Sequence, residues 1–171
     1  MTGVQTCALP ISFVYDNALL ALWRSAHADL PGAGRVLATL ACVQRPDGGW
    51  DFDFEASGAV ERRPGYVRSG AVAWVLYAMA RWQDASGDHR FAGTVARGWA
   101  WLEQRRGVAG LYTAGQGRWL PGGRFDADYR APFAATEHQF DIWFALMARG
   151  LAEPGEAAAR SEEHTSELQS L

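Results

Sequence analysis

Apolar positions recur three and four apart in five stretches of the chain, the period of an α-helix. Tyr15 to Ala28 carries Leu19, Leu20, Leu22 and Trp23, and Pro31 to Gln44 carries Val36, Leu37, Leu40 and Val43. Pro31 near the front of the second stretch fits a helix start. Ser69 to Asp84 carries Val72, Trp74, Val75, Leu76, Met79 and Trp82. Asp88 to Arg105 carries Phe91, Val95, Trp99 and Leu102, and Thr136 to Gly150 carries Phe140, Trp143, Phe144 and Met147. The first, third and fifth stretches are apolar nearly all round, which predicts burial on most faces, with Trp74 and Phe140 inside. The second and fourth are amphipathic, leaving Arg35, Arg90, Arg97 and Arg105 for solvent. Buried and half-exposed helices that alternate predict an all-α fold, a partial α/α toroid of about two and a half helical hairpins.

Residues 107–134 break the pattern. Gly107, Gly110, Gly115, Gly117, Pro121, Gly122, Gly123 and Pro132 fall there, with Tyr112, Trp119, Phe125 and Tyr129 among them. The segment reads as one long irregular loop, with a short hairpin around Leu111–Thr113 and Arg118–Leu120. Loops of this length in a compact domain are often functional. The run Asp51-Phe-Asp-Phe-Glu55 alternates and reads as a short edge strand with a solvated acidic face. A loose repeat at an offset of 60 aligns the stretch ending Gln44-Arg45 with the one ending Gln104-Arg105. Each copy is followed by Gly and a large apolar residue, Gly48-Gly49-Trp50 and Gly110-Leu111.

Composition changes the picture at the ends. All 16 basic residues are Arg, and the 171 residues carry a net charge of −3. Residues 1–11 and 160–171 read as translated sequencing adapter. The codons AGA TCG GAA GAG CAC ACG TCT GAA CTC CAG give Arg160 to Gln169, and the complementary strand in another frame gives Met1 to Ile11. Residues 12–159 are then expected to be an internal fragment of one domain, with 15 Arg against 16 Asp and Glu. On that reading the native N-terminus is missing and localisation is unknown. Near-neutral charge argues against a nucleic-acid partner. No apolar run is long enough to cross a bilayer. Cys42 is then the lone cysteine, which predicts no internal disulfide; placed among apolar helical residues, it reads as an inert structural thiol. His27, His89 and His138 have no mutual ligand spacing, so neither a metal nor any other cofactor is expected.

Four segments carry a resemblance: Phe13-Val-Tyr-Asp-Asn-Ala18, Gln44-Arg-Pro-Asp-Gly-Gly-Trp50, Arg68-Ser-Gly-Ala-Val-Ala-Trp74 and Thr136-Glu-His-Gln-Phe-Asp141. Together they resemble bacterial proteins of the six-hairpin glycosidase-like superfamily, over most of residues 12–159. The resemblance implies an (α/α)6 toroid with polar residues binding sugars at one mouth, hence a carbohydrate ligand and a parent glycoside hydrolase or lyase. Where this chain has Gln139, the family carries Asn. An isolated fragment is expected to be inactive. Two alternatives stay open. One is a non-catalytic carbohydrate-binding or scaffold toroid. The other rests on Gln44-x-x-Asp47-Gly48-Gly49-Trp50, which also resembles the Gln-Trp repeat of terpenoid cyclases and prenyltransferases. The chain has neither Asp-Asp-x-x-Asp nor Asp-x-Asp-Asp, the acidic motifs of those enzymes.

Glycoside hydrolysis needs two carboxyl groups flanking the scissile bond. Asp16 and Glu137 are the catalytic candidates, each at the start of an expected inner helix. Helix-start chemistry explains them equally well, because the dipole favours acidic first turns and Thr136 with Gln139 matches a capping box. The same dipole favours the ionised form, so Glu137 suits a base or hydroxyl acceptor better than an acid. His138 and Asp141, three apart, share a helix face as a candidate binding pair. Trp119, Trp50 and Tyr15 are candidates for stacking on sugar faces, while Trp74 and Trp143 read as packing residues.

Overall fold

A computed structural model describes residues 11–55, 65–107 and 109–150. In chain order the elements are β1 (Ile11–Phe13), α1 (Val14–Ala26), α2 (Leu30–Cys42), β2 (Asp53–Glu55), β3 (Val67–Arg68), α3 (Ser69–Ser86), α4 (Ala92–Glu103), β4 (Gly115–Trp119), β5 (Phe125–Arg130) and α5 (Thr136–Ala148). The all-α expectation is therefore corrected. Five helices are joined by two small antiparallel sheets, β1 with β2 and β3-β4-β5, so the fold mixes α and β. The expected long irregular loop holds β4 and β5. Its pairing partner, β3, lies far back in the sequence, with Val67 opposite Gln116.

The helices form where the apolar period placed them, and local chemistry moves their ends. Asp29 accepts the backbone N–H of Gly32 at 2.9 Å, so α2 starts at Leu30, just ahead of Pro31. Residues Asp88 to Phe91 form a turn instead of helix, with Asp88 accepting from the backbone of Arg90 at 2.9 Å. Gly87 ends α3 in the left-handed conformation at φ 69°, the usual helix stop. The expected capping box of α5 is absent. Ala135 is the N-cap, and the Gln139 side chain instead brackets the backbone of Tyr112, accepting from its N–H at 2.9 Å and donating to its carbonyl at 2.8 Å.

Helix α3 is the centre. Val72, Ala73, Val75, Leu76, Met79 and Trp82 are all buried, and every other helix packs on it. Only α3 is buried nearly all round. Helices α1 and α5 flank it and expose one apolar side each: Leu19, Leu20 and Trp23 on α1, Phe140 and Phe144 on α5. Phe140 is 40% exposed, which corrects its expected burial, and Trp74 is half-buried. Cys42 closes α2 and is exposed rather than packed among apolar neighbours.

Helices α2 and α4 run behind this layer and are locked by the turn 44–50. Trp50 is fully buried and donates its indole N–H to the Leu40 carbonyl at 2.7 Å. The Gln44 amide donates to the carbonyls of Gly48 and Thr94, each at 2.9 Å, and accepts from Arg97 Nη2 at 2.6 Å. Glycines make the approach possible. A Cβ on Gly98 would meet Leu76 Cδ2 at 2.8 Å and the Trp50 ring at 3.0 Å, and one on Gly49 would meet Trp101 Nε1 at 2.8 Å. Arg105, the repeat counterpart of Arg45, is buried and donates to Gln116 Oε1 at 2.6 Å, tying the end of α4 to β4. Of the terminal stretches expected to be non-native, Ile11 is described: it pairs with Glu55 in β1, 45% exposed. Residues 1–10 and 160–171 lie outside the described residues.

Gly98→Ala should destabilise the protein by about 1–3 kcal/mol, because its methyl overpacks against Leu76 and Trp50. Gly93→Ala, also in α4 but with only Arg97 Nη1 nearby at 3.7 Å, should be neutral or stabilising by up to about 1 kcal/mol. Urea unfolding of the two variants checks this; equal midpoints would show that the α3–α4 seam has slack.

Candidate functional site

Helices α1, α3 and α5 start at the same end of the molecule. Tyr15 in the first turn of α1 packs edge-on against Trp74 of α3, centroids 5.7 Å apart. Trp74 donates its indole N–H to Asp141 Oδ1 of α5 at 2.8 Å. One turn further along, Tyr77 of α3 meets Phe144 of α5 at 6.2 Å, so α3 and α5 advance together. At the other end Trp82 of α3 donates to the Leu30 carbonyl at 2.9 Å, just beyond the close of α1. The three N-termini therefore share one mouth, and the first-turn residues of α1 and α5 converge there.

Five of the residues singled out in the sequence meet at this mouth: Tyr15, Asp16, Glu137, His138 and Asp141. Burial, and then the charges of Asp141, Asp16 and Glu137, hold the Tyr15 phenol above its ordinary value, so all three carboxylates act on one hydroxyl. Asp16 and Glu137 project into solvent, the Glu137 side chain being 82% exposed. Asp141 is different. It lies between α3 and α5, over Gly70, where a Cβ would collide with both Asp141 and His138. Burial pushes its carboxyl up to about 6, with Glu137 adding to the rise and the Trp74 N–H opposing it. That environment, rather than position at the helix start, makes Asp141 the carboxyl that keeps its proton to about pH 6. Asn17, next to Asp16 in sequence, acts locally instead. Its amide donates to Ser12 Oγ and the Phe13 carbonyl, each at 2.7 Å, fixing the junction of β1 and α1.

His138 is buried, its Nε2 3.6 Å from Glu137 Oε1 and its Nδ1 without a hydrogen-bond partner among the described residues. Burial holds its imidazole below the ordinary value; Arg68 adds to that effect and Glu137 opposes it. Arg68 also connects the mouth to what lies beside it. Its guanidinium sits 3.9 Å over the Tyr66 ring and donates to the Tyr66 hydroxyl.

The two tryptophans part company. Trp50 belongs to the core, 0% exposed, which removes it from any stacking role. Trp119 is 60% exposed at the end of β4. It lines a groove of about 310 Å³ with Phe13, Phe52, Tyr66 and Phe125, and with Asp51 and Asp53. Asp51 accepts from Arg45 Nη1 at 2.9 Å, yet burial still raises its carboxyl above the ordinary value. Sequence reasoning missed this groove. The alternation of Asp51-Phe-Asp-Phe-Glu55 was visible, but its partners come from β1, β5 and Tyr66, which no local pattern connects. Among the described residues no group of three or more His, Cys, Asp or Glu could hold a metal ion, and no helix is long and apolar enough to cross a membrane. No protein-family model matches the chain, and no curated protein matches it.

The raised carboxyl gives a signed pH dependence. Folded Asp141 keeps its proton to about pH 6, whereas the ordinary value is 3.8. The native state binds the extra proton in that window, so its contribution to stability is lost as pH rises from about 4 to 6. Asp141→Asn removes the titration while still offering Trp74 an acceptor. Relative to wild type, the variant should gain stability across that window, by at most about 3 kcal/mol. Urea unfolding of both proteins at pH 4, 5, 6 and 7 measures it, and His138 cancels in the difference. Parallel curves would place Asp141 in a water-like environment.

Proposed function

We propose that the chain serves a carbohydrate-active protein of the glycoside hydrolase or lyase type and binds an oligosaccharide at the shared mouth of α1, α3 and α5. The observation that carries this reading is the shared starting end of α1, α3 and α5, which brings Tyr15, Asp16 and Glu137 together where Tyr15 packs on Trp74 and Trp74 donates to Asp141. Sugars are recognised by carboxylates that accept from hydroxyls and by aromatic faces, and the mouth presents both. The resemblance of Tyr15-Asp16-Asn17-Ala18 and Thr136-Glu137-His138-Gln139-Phe140-Asp141 to six-hairpin glycosidase-like proteins supports the same reading. A polar mouth gives no support to the terpenoid-cyclase-like alternative.

The chemistry divides among the carboxyls by environment. A general acid needs a carboxyl that is protonated near the working pH, and a base or nucleophile needs one that is ionised. Asp141, half-buried against Trp74 and pushed up to about 6, takes the acid role. Asp16 and Glu137, open to solvent, take the roles of base and of acceptor for sugar hydroxyls. Tyr15 orients the sugar by donating from its phenol. Gly70 keeps the space that Asp141 and His138 occupy. Without the acid step the same mouth is a carbohydrate-binding site, which is the second reading.

Isothermal titration with a panel of gluco-, xylo- and manno-oligosaccharides tests the proposal. Wild type should bind at least one member, and Asp16→Asn and Glu137→Gln should each weaken it several-fold without changing the unfolding midpoint. Undiminished affinity in both variants would remove these carboxylates from the site.

A further inference from the structure

Beside the mouth, the groove between β2 and the β4–β5 hairpin has no part in the roles assigned above. It is built from rings that meet at steep angles. Phe13 meets Phe52 at 5.5 Å and 67°, Phe52 meets Tyr66 at 5.5 Å and 85°, Tyr66 meets Phe125 at 6.4 Å and 69°, and Trp119 meets Phe125 at 4.9 Å and 64°. Each edge-to-face contact sets the edge of one ring on the face of the next, which fixes the rings as a continuous aromatic lining. Trp119 is the ring with a large free surface. Strand pairing sets it there: Trp119 lies opposite Phe125, the last pair before the turn 121–124, so both rings emerge on one face. Arg118 and Asp126, one step further from the turn, pair with each other at 3.2 Å. Glycine makes the floor possible, because a Cβ on Gly117 would meet the Phe125 ring at 2.7 Å and the Gly65 carbonyl.

We infer that this groove is a stacking subsite for one pyranose ring, laid on the face of Trp119 with its hydroxyls turned to the acidic rim of Asp51 and Asp53. The inference rests on the carbohydrate reading of the neighbouring mouth and names where the chain beyond the mouth is held. Size limits the occupant: about 310 Å³ is at the small end of ligand pockets, which run from roughly 300 to 1,000 Å³. Charge selects among small occupants. An aromatic cup with carboxylates would ordinarily attract an ammonium ion. Here protein cations already hold two of those groups, since Arg68 lies over the Tyr66 ring at 3.9 Å and Arg45 binds Asp51 at 2.9 Å. A wholly apolar occupant would strip water from the Asp51–Arg45 pair without replacing its hydrogen bonds, at a cost. A neutral ring with an apolar face and a hydroxyl rim meets both constraints. Asp51, which lines the groove, offers its hydroxyls an acceptor held in place by Arg45. Phe13 lines the groove two residues before Tyr15 of the mouth, and the Val14 N–H between them bonds the carbonyl of groove residue Phe52, so the two sites are neighbours along one extended ligand.

The test is titration of the full chain, labelled with ¹⁵N, with pentasaccharides of glucose, xylose and mannose, and separately with tetramethylammonium. The expected result is a shift of the Trp119 indole resonance with a pentasaccharide, and affinity weakened about tenfold in Trp119→Ala. Trp119→Phe should recover part of the loss. Trp23→Ala, an equally exposed tryptophan on α1, should bind as wild type does. Wild-type binding that Trp119→Ala leaves intact overturns the subsite and leaves the mouth standing. No pentasaccharide binding to wild type overturns the carbohydrate reading and the subsite with it. A Trp119 shift with tetramethylammonium alone overturns the neutral-ring assignment.

Discussion

The burial of Trp50 is the contact on which the remaining structure leans. Its indole closes onto the Leu40 carbonyl and its ring fills the space that Gly98 leaves on α4. In the turn before it one amide, Gln44, satisfies two carbonyls and a guanidinium at once. A buried amide so fully bonded is costly to disturb, because breaking any one bond leaves a polar atom without water. This turn fixes the relative position of α2 and α4 behind α3. It also delivers the chain, at Asp51 and Phe52, to the groove: Phe52 accepts from Val14 and donates to Tyr66 through its backbone, at 3.1 and 2.7 Å. One packed residue thus sets both the rear of the helical layer and the floor of the polar face.

At the mouth, two physical effects compete and each wins at a different depth. Aligned helix N-termini favour negative charge within the first turn. Desolvation opposes it, and grows with distance from solvent. Glu137 lies in the first turn in water; Asp141, one turn deeper against Trp74, is governed by burial. Neighbouring carboxyls on one helix therefore acquire different chemistry from their depth. The placement of Gly70 opposite them is part of the arrangement, since any side chain there would push Asp141 back toward solvent.

What was legible in the sequence follows the range of the interactions responsible. The helices depend on local period and short-range caps, so all five are readable, while their C-terminal ends each differ by two residues and the starts of α2 and α4 move where Asp29 and Asp88 make side-chain contacts with the backbone. The strands depend on pairing across long separations, as between Val67 and Gln116, and glycines at 115 and 117 leave β4 without an alternating pattern of its own. The mouth residues were readable because helix starts are local features; that Asp141 differs from Glu137 was not, because it depends on Trp74 crossing from another helix. Trp50 and Trp119 illustrate the same limit. Both follow glycine-containing segments and look alike in sequence, and only tertiary contacts bury one and expose the other. Apolar content on α1 and α5 predicted more burial than occurs, since period reports a sticky side without saying what covers it.

Those uncovered sides have a geometric consequence. The helical layer is bordered by α1 on one flank and α5 on the other, and the two borders differ: Leu19, Leu20 and Trp23 against Phe140 and Phe144. Contact between unlike borders cannot be satisfied by a twofold axis, because the surface that receives is not the surface that inserts. Repetition of such a contact tiles, giving a closed ring when the angle between successive units divides a full turn and an open row when it does not. The five helices thus form a layer with a direction, whose two flanks are not interchangeable.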